Sequence, residues 1–199
     1  LNLRLRASKN VEILTNCKVL SEEAKKGGSM IVLDNDTKIF VSLFVICDGP
    51  KSSLAKAINK KFISKDYNQI AIIANVNHKN KHNGEAHQIF YSGGPIASLP
   101  LRGNRSAVVW SEEKKKGLQV SQKKNEDFLE ELKTKLNNIL IDITLDSEKY
   151  VFPLSLSLLM DFVDERRVFI GDSAHTIHPL AGQGLNLGLR DIASLTEIL

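Results

Sequence analysis

The stretch FIGDSAHTIHPLAGQGLNLGLRD, residues 169–191, holds four glycines, two histidines, two acidic residues and a proline. It begins with an apolar run that ends in Asp172 beside a glycine, and Leu185, Leu189 and Ile192 then recur at helical spacing. A strand, a loop and a helix are therefore predicted in that order. In open α/β sheets, ligands bind outside the carboxyl ends of the strands, where the amides of a helix start favour negative or polar ligand atoms. The stretch thus predicts a ligand-binding loop.

The glycines of this loop have two explanations. Gly182 and Gly184 lack a Cβ, so the backbone can turn tightly and approach a flat or phosphorylated ligand. The amides around Leu185 and Asn186 would then point outward, and Asp172 would accept hydrogen bonds from sugar-like hydroxyl groups. The alternative is a plain strand-to-helix connection whose glycines only relieve strain. Spacing alone leaves both explanations open.

Metal and hydrolase chemistry have less support in the same residues. His175 and His178 stand three residues apart, but a Zn or Fe site needs at least one further well-placed ligand. His78 and His82 lie in a polar loop, which makes them poor candidates for that ligand. The sequence GDSAH lacks the GxSxG pattern, and Ser173 has no assignable base.

Composition limits the class of protein. The chain has 199 residues and 42% hydrophobic content, enough to bury a core. The net charge is +4, yet the lysines are scattered and only 6% of residues are aromatic, so nucleic-acid binding is not favoured. Weak attraction to an anionic membrane surface is compatible with this charge. Two distant cysteines indicate no disulfide framework and favour a reducing compartment.

The remaining segments predict two kinds of sheet. Apolar runs at VEILTNCKVL, SMIVLDN and TKIFVSLFVICDG predict a small meander that leads to a buried strand ending at Asp48 and Gly49, followed by a helix over Ser52–Lys61. The segments QIAIIANVNH, AHQIFYSGG, IASLPLR and SAVVWSEE predict consecutive antiparallel strands. The segment NEDFLEELKTKLNNIL predicts a covering helix with Glu131 and Lys135 as an i,i+4 pair. No apolar run reaches the roughly 18 residues of a membrane span, and no signal-peptide pattern opens the chain.

The loop motif GDSAHTIHPLAGQGLNLGLRD resembles the second flavin motif of the aromatic-ring hydroxylases related to p-hydroxybenzoate hydroxylase. Within that family it is most similar to the polyprenyl-phenol hydroxylases of ubiquinone biosynthesis. CDGPKSS resembles the family's Asp-Gly motif, GGPIASLPLRGNRSAVVW its substrate-sheet segment, and FPLSL the strand that returns to the flavin domain. The resemblance covers essentially the whole chain.

The resemblance implies a mixed α/β and α+β fold: part of a GR2-type FAD-binding domain with an inserted, mostly antiparallel substrate sheet. FAD would span the α/β domain, and the sheet would cover the substrate cavity. The implied division is residues 1–62 for a partial FAD-binding domain, 63–152 for the substrate domain with its helix, and 153–199 for the return to the FAD-binding domain.

The resemblance also assigns cofactor contacts. Asp172 would bind the ribityl or nearby phosphate region of FAD, and Pro179 would lie near the isoalloxazine. Asp48 and Gly49 would support FAD and take part in the NAD(P)H response. The full implied cofactor-binding set is Asp48, Gly49, Gly171, Asp172, Pro179, Gly182, Gly184, Leu185 and Asn186, with no metal and no assigned catalytic side chain.

The implied activity is monooxygenation of a phenol by FAD with NAD(P)H and O₂, and the cofactor carries the chemistry. Ubiquinone precursors, with or without a prenyl tail, are the expected substrates, in a complex with other proteins of that pathway. A substrate with an apolar prenyl tail implies a cytoplasmic enzyme that is peripheral at the inner face of a membrane. Ile96, Leu99 and Leu101 are candidates to line the substrate cavity, with core packing as the alternative for each.

Two departures from the family pattern stand out. The Asp-Gly motif usually continues to an arginine where this chain has Ala55, followed by Lys56, which puts the NAD(P)H response in doubt. There is no GxGxxG after an opening strand. The sequence therefore indicates an internal fragment, and we expect the isolated chain to bind FAD weakly or not at all. The alternative function is a nonenzymatic remnant or interaction domain that keeps the fold.

Overall fold

The computed structural model describes residues 2–50 and 52–199. These residues form two compact units, each built from several stretches of chain. Unit 1 comprises the chain up to Phe62 together with Leu159–His175 and Gly188–Leu199. Unit 2 comprises Ile63–Leu158 and Thr176–Leu187.

The secondary structure alternates short helices with strands. The helices are α1 (Asn2–Ala7), α2 (Ser53–Ala57), α3 (Lys114–Ser121), α4 (Asn125–Lys135) and α5 (Gln183–Ile198), with a single 3₁₀ turn at Gly171–Ser173. The strands are β1 (Val19–Lys25), β2 (Gly28–Leu33), β3 (Lys38–Val41), β4 (Phe44–Ile46), β5 (Phe62–Asn77), β6 (His87–Tyr91), β7 (Gly94–Pro100), β8 (Arg105–Glu113), β9 (Thr144–Leu145), β10 (Tyr150–Leu159), β11 (Val163–Asp164), β12 (Arg167–Phe169) and β13 (His175–Thr176).

Unit 1 contains the predicted meander and the predicted pair of apolar strands. Strands β1, β2 and β3 pair in that order as an antiparallel sheet. Strands β4 and β12 pair in parallel, with β11 on the outer side of β12. One core of unit 1 contains Ile46 of β4, Leu54 and Ala55 of α2, and Phe169 of β12, together with Leu159 and Ala174.

Two boundaries in unit 1 differ from the sequence expectation. The first strand begins at Val19 rather than Val11, because residues 11–18 form no regular structure. The helix α2 ends at Ala57 instead of Lys61. Its start agrees with the expected residue, since the Ser52 hydroxyl accepts a hydrogen bond from the Ala55 amide at 3.0 Å as an N-cap.

Unit 2 is built on a sheet with the strand order β13-β10-β5-β8-β7-β6, and β9 pairs with β5. The prediction of consecutive antiparallel strands is confirmed. Helix α4 packs on one face of this sheet as expected. The core beneath it contains Ile70, Ile72, Val76, Ile96, Val108, Trp110, Val120, Phe128, Leu132, Leu136, Leu140 and Ile143.

Helix α3 is not predicted by the sequence pattern. Its residues KKKGLQVS include a glycine and only two aliphatic side chains, so no apolar helical stripe is visible. The prediction that Glu131 pairs with Lys135 is also wrong. Glu131 pairs with Lys123 at 2.9 Å, and the Lys135 ammonium lies 4.0 Å from the centre of the Tyr91 ring.

The two faces of the unit 2 sheet differ in their neighbours. Ile96 is 0% exposed and belongs to the core beneath α4. Of the two explanations offered for this residue, core packing is therefore the one that the structure supports. Leu99 is 41% exposed, and its register places it on the opposite face. Leu101 lies just beyond β7 and is half-buried.

Helix α5 is amphipathic as predicted, but none of its 16 residues, all of which the structure describes, is buried. Leu185, Leu189 and Ile192 are 73%, 54% and 49% exposed. The periodic apolar pattern therefore predicted the helix correctly, but the apolar face of this helix is not buried. Within the described chain, no helix combines the length and the apolar character needed to cross a membrane.

Candidate functional site

The ends of two neighbouring strands in unit 1 bring the two acidic motifs to one edge of the sheet. Phe169 of β12 pairs in register with Ile46 of β4, and the strands are parallel. Asp48 follows β4 and Asp172 follows β12, so both leave the sheet at its carboxyl edge. This edge is where open α/β sheets bind ligands.

The Asp-Gly motif at the end of β4 forms a turn that begins α2. Asp48 is exposed, and its carboxylate lies 3.5 Å from the Leu54 amide near the start of that helix. Gly49 has φ +85°, a conformation that favours glycine, and a Cβ built there would meet no atom within 4 Å. Lys51 of this motif lies outside the described residues.

The second motif forms the Gly171–Ser173 turn. Gly171 has φ +60°, and the buried Ser173 hydroxyl lies 2.7 Å from the carbonyl oxygens of Ile46 and Ile170, to which it donates. Ser173 thus anchors the turn to the end of β4, and its burial removes it as a nucleophile. Between these two residues, the Asp172 side chain is exposed.

Asp191 of α5 holds the same turn. Helical periodicity alone would place this residue on the outer face of α5, which is wrong. Its Oδ2 accepts hydrogen bonds from the Gly171 amide at 2.8 Å and from Nε2 of the buried His175 at 2.7 Å. The spacing of 20 residues between Gly171 and Asp191 carries no pattern by which sequence alone would pair them.

His178 is fixed within unit 2. Nε2 of His178 lies 3.1 Å from Oε1 of Gln69, whose Nε2 donates to the Gly93 carbonyl at 2.8 Å. Because the Gln69 amide is oriented by that second bond, its oxygen faces His178, and Nε2 of the imidazole carries the proton. Tyr67 contacts the imidazole edge-on, with ring centres 5.4 Å apart. Burial lowers the pKa of His178 below its ordinary value, which favours the neutral ring.

The glycine-rich turn that follows His178 also lies in unit 2. Gly182 has φ +66° and Ala181 has φ +49°, so the chain needs a left-handed bend just before α5. Gly184 has a φ outside the left-handed region, and no atom lies within 4 Å of a Cβ built on it. Among the residues that the structure describes, neither conformation nor packing therefore requires glycine at position 184.

The start of α5 exposes some of the expected groups. Pro179, Leu185 and Asn186 are exposed. Gly184 and Leu185 occupy the first helical turn, whose amides have no carbonyl partner inside the helix. The expectation that the Asn186 amide points outward is wrong, since this amide donates to the Gly182 carbonyl at 3.4 Å.

The two histidines of the loop have separate polar partners. His175 bonds Asp191 in unit 1, and His178 bonds Gln69 in unit 2. Among the described residues, no group of three or more His, Cys, Asp or Glu side chains could hold a metal ion.

The departure at Ala55 is packed into the protein core. Ala55 is 0% exposed within the unit 1 core, whereas Lys56 is exposed on the outer side of α2. A long cationic side chain at position 55 would displace that core, so the position is adapted to alanine here.

The predicted site residues thus fall into two groups. Asp48, Gly49, Gly171 and Asp172 lie at one sheet edge in unit 1, while Pro179, Gly182, Gly184, Leu185 and Asn186 lie in unit 2 around the start of α5. Sequence reasoning missed the supporting residues Ser173, Asp191 and Gln69, because each acts through a contact distant in sequence.

Comparison with known proteins gives one family match. A family model described as an FAD binding domain matches residues 6–199. An open glycine at the helix start fits this description, because a flat cofactor ring needs room close to the backbone.

Two curated relatives have names from ubiquinone biosynthesis. Ubiquinone hydroxylase UbiL of Rhodospirillum rubrum is 34% identical over 172 residues, covering 86% of this chain and 40% of the relative. The ubiquinone biosynthesis monooxygenase COQ6 of Caenorhabditis elegans is 30% identical over 236 residues, covering 98% of this chain and 52% of the relative. The chain spans about half the length of these relatives.

The fold is shared with a solved structure. The p-nitrophenol 4-monooxygenase PnpA from Pseudomonas putida superposes with a TM-score of 0.77 at 18% identity, covering 98% of this chain and 51% of that protein. At this identity the similarity shows the fold alone.

Proposed function

The chain belongs to the family of FAD binding domains, and we propose that it is part of an FAD-dependent monooxygenase that hydroxylates a phenol. Support for the reaction class comes from relatives named as a ubiquinone hydroxylase and a ubiquinone biosynthesis monooxygenase. Ubiquinone precursors are the proposed substrates, and NAD(P)H is the proposed reductant.

The observation that carries the proposal is the open space over Gly184. Gly184 does not have a left-handed φ, and no neighbouring atom of the described residues needs the space that a side chain would fill. The described residues therefore give no reason for a glycine at this position. A ligand that lies against the backbone at the start of α5 explains it, because a Cβ would occupy that ligand's position. The first-turn amides of Gly184 and Leu185 would donate to the polar edge of the flavin ring.

The remaining site residues have roles that follow from their positions. The exposed Asp172 carboxylate would accept hydrogen bonds from the ribityl hydroxyls, and the turn at Asp48 and Gly49 would support the cofactor at the same sheet edge. Held by these residues, FAD would supply the oxygen-transfer chemistry. The residues of this chain would bind and orient the flavin and the phenol, and they would exclude water from the site.

The helix-free face of the unit 2 sheet is the proposed wall for the aromatic ring. Ile73 pairs with Val109, and Ala97 pairs with Val109 from the other side, so these three side chains share one face. All three are half-buried, whereas Ile72 and Trp110 on the opposite face are fully covered. An apolar surface left open in this way favours a ring or a prenyl tail and keeps water away from the reacting carbon.

The direct test is oxidation of NAD(P)H by the flavin-loaded protein with and without candidate phenols. We expect a phenol with a free hydroxyl to stimulate oxidation and to yield the hydroxylated product. The methyl ether of the same phenol is the control, since an ether ring is a poorer target for oxygen transfer. If no phenol stimulates oxidation above the background rate, the hydroxylase proposal is wrong.

A substitution on the open sheet face tests the substrate wall. Ala97→Phe would fill the space beside Val109, so the phenol-stimulated rate should fall about tenfold or more, equivalent to about 1.4 kcal/mol. Flavin content should stay at the wild-type level. Lys81→Ala, in an exposed loop of the same unit, is the matched control and should change neither quantity. Equal rates for Ala97→Phe and wild type would remove this face from the substrate site.

A prenylated substrate would bring the enzyme to a membrane surface, and the net charge of +4 adds weak attraction to anionic lipid. We propose peripheral association of this kind, within a complex of biosynthetic proteins. Sedimentation with anionic vesicles at low salt should recover the protein, and its absence from the pellet would refute the lipid attraction.

A further inference from the structure

Asp191 makes two short contacts with one carboxylate oxygen. Its Oδ2 accepts from the Gly171 amide at 2.8 Å and from Nε2 of His175 at 2.7 Å. The side chains of His175 and Asp191 are only 7% and 25% exposed. Such partly desolvated, charge-assisted hydrogen bonds are stronger than surface ion pairs.

The turn that Asp191 holds has a conformation in need of support. Gly171 has φ +60° and is followed directly by Asp172, whose side chain is exposed. On the other side of Asp172, the Ser173 hydroxyl fixes the chain to the end of β4. The position of the Asp172 backbone is therefore set by a bond before it and a bond after it.

Helix α5 contacts this turn through a second residue. A Cβ built on Gly188, one helical turn before Asp191, would lie 3.4 Å from the Gly171 Cα. The helix backbone thus lies directly against the turn. Gly188 allows the helix backbone to approach the turn closely. The hydrogen bond from the Gly171 amide to Asp191 then fixes the position of the helix relative to the turn.

His175 depends on the same carboxylate. Its Nδ1 is buried and has no hydrogen-bond partner among the described residues, and the Phe162 ring contacts the imidazole edge-on at 6.0 Å between ring centres. The carboxylate is therefore the polar group that orients the imidazole. Loss of Asp191 would leave both ring nitrogens in an apolar setting, which is unfavourable.

From these contacts we infer that Asp191 is a positioning residue of the flavin site, acting through Gly171 and His175 to set the place of Asp172. This inference rests on the proposed function, because it gives Asp172 a cofactor to bind. Asp191 contacts the turn at Gly171 and His175, so its effect on the cofactor is exerted through the position of the turn and of Asp172.

The first experiment measures amide hydrogen exchange at Gly171 by NMR and needs no cofactor. Asp191→Ala should speed this exchange about tenfold relative to neighbouring core amides, the effect of losing one hydrogen bond. Asp191→Asn retains an acceptor oxygen and should stay close to wild type. Glu197→Gln, an exposed acid on the same helix, is the matched control. Unchanged exchange in Asp191→Ala would overturn the inference.

The second experiment is a double-mutant cycle on FAD affinity, measured by flavin fluorescence in the complete protein of which this chain is proposed to be part. Asp191→Ala should weaken FAD binding about tenfold when Asp172 is present and less than about twofold in an Asp172→Ala background. A purely structural residue would weaken binding equally in both backgrounds, and that result would overturn the inference.

The two experiments separate the inference from the function beneath it. If wild-type protein binds FAD but the cycle is additive, the proposed function stands and the role of Asp191 is wrong. If the complete wild-type protein, of which this chain is proposed to be part, binds no FAD, the proposed function fails, and the role assigned to Asp191 fails with it even when the Gly171 amide exchanges faster in Asp191→Ala.

Discussion

Gly184 is the residue that best distinguishes a ligand-binding loop from a plain strand-to-helix connection. Gly182 and Gly171 are explained by their positive φ values, so either loop would keep them. Gly184 has an ordinary φ and open space around it. A glycine for which the described residues give no structural need points to a partner from outside them.

Substitution of this glycine therefore has opposite effects on stability and binding. Gly184→Ala should leave the free energy of unfolding unchanged or raise it by up to about 1 kcal/mol, because alanine is the better helix former. FAD affinity should fall, because the new methyl group occupies the cofactor's position. Urea unfolding and fluorescence titration measure the two quantities.

The control for this substitution lies on the same helix. Ser194→Ala, at an exposed position of α5, should give a similar gain in helix propensity with no change in FAD affinity. If Gly184→Ala binds FAD as tightly as Ser194→Ala does, the glycine only connects a strand to a helix and the cofactor interpretation of this residue fails.

Helix α3 shows what sequence reasoning misses at the scale of elements. Its contact with the sheet is made by Gly117, which is buried against Ile70 of β5. A glycine in a short polar segment favours a turn in any pattern-based prediction. Here the missing side chain allows the helix to approach the strand, which is a tertiary effect that local sequence does not contain.

The packing of α3 on β5 can be tested by adding one methyl group. A Cβ at Gly117 would lie 2.6 Å from Cγ1 and 2.8 Å from Cδ1 of Ile70. Gly117→Ala should therefore destabilise the protein by about 1–3 kcal/mol in urea unfolding, despite alanine's better helix propensity. Lys115→Ala, exposed on the same helix, should change stability by no more than about 0.5 kcal/mol.

A second substitution checks that the clash is with Ile70. Shortening this side chain in Gly117→Ala/Ile70→Ala should cost less than the sum of the two single changes, because alanine lacks both Cγ1 and Cδ1. Strict additivity, or a Gly117→Ala variant as stable as Lys115→Ala, would show that α3 does not pack on β5 in this way.

Elements whose pattern is local were predicted well. The antiparallel strands β5 to β8 and the helices α4 and α5 follow from alternation and helical periodicity. Residues 11–18 were wrongly predicted as a strand, since an apolar composition satisfies strand propensity without providing a neighbour to pair with. The Glu131–Lys135 pair was wrong because Lys123 offers Glu131 a closer partner from outside the helix.

At the scale of the whole molecule, the predicted fold class and family are confirmed. The motif residues themselves are local in sequence and were found by it. Their supports were not, because Asp191, Ser173 and Gln69 bond to groups 20, 127 and 109 residues away. The predicted cofactor contacts and the division into three segments stay predictions.

Helix α5 also shows the limit of periodicity at this scale. Its apolar positions predict a face that packs on something, yet every residue of this fully described helix is exposed or half-buried. An amphipathic pattern shows that one face of a helix avoids water and does not identify the partner of that face. The cofactor contacts proposed on this helix lie in its first turn, at the open glycine, and Asp191 further along the helix supports the turn that carries Asp172.

A crystal structure of the complete, flavin-loaded protein will show whether the backbone around Gly184 and Leu185 contacts the flavin ring. We expect the amides of these two residues within about 3 Å of polar atoms of the isoalloxazine, with the Asp172 carboxylate on the ribityl hydroxyls. A flavin bound elsewhere, or amides that face solvent or protein in the loaded state, would contradict it.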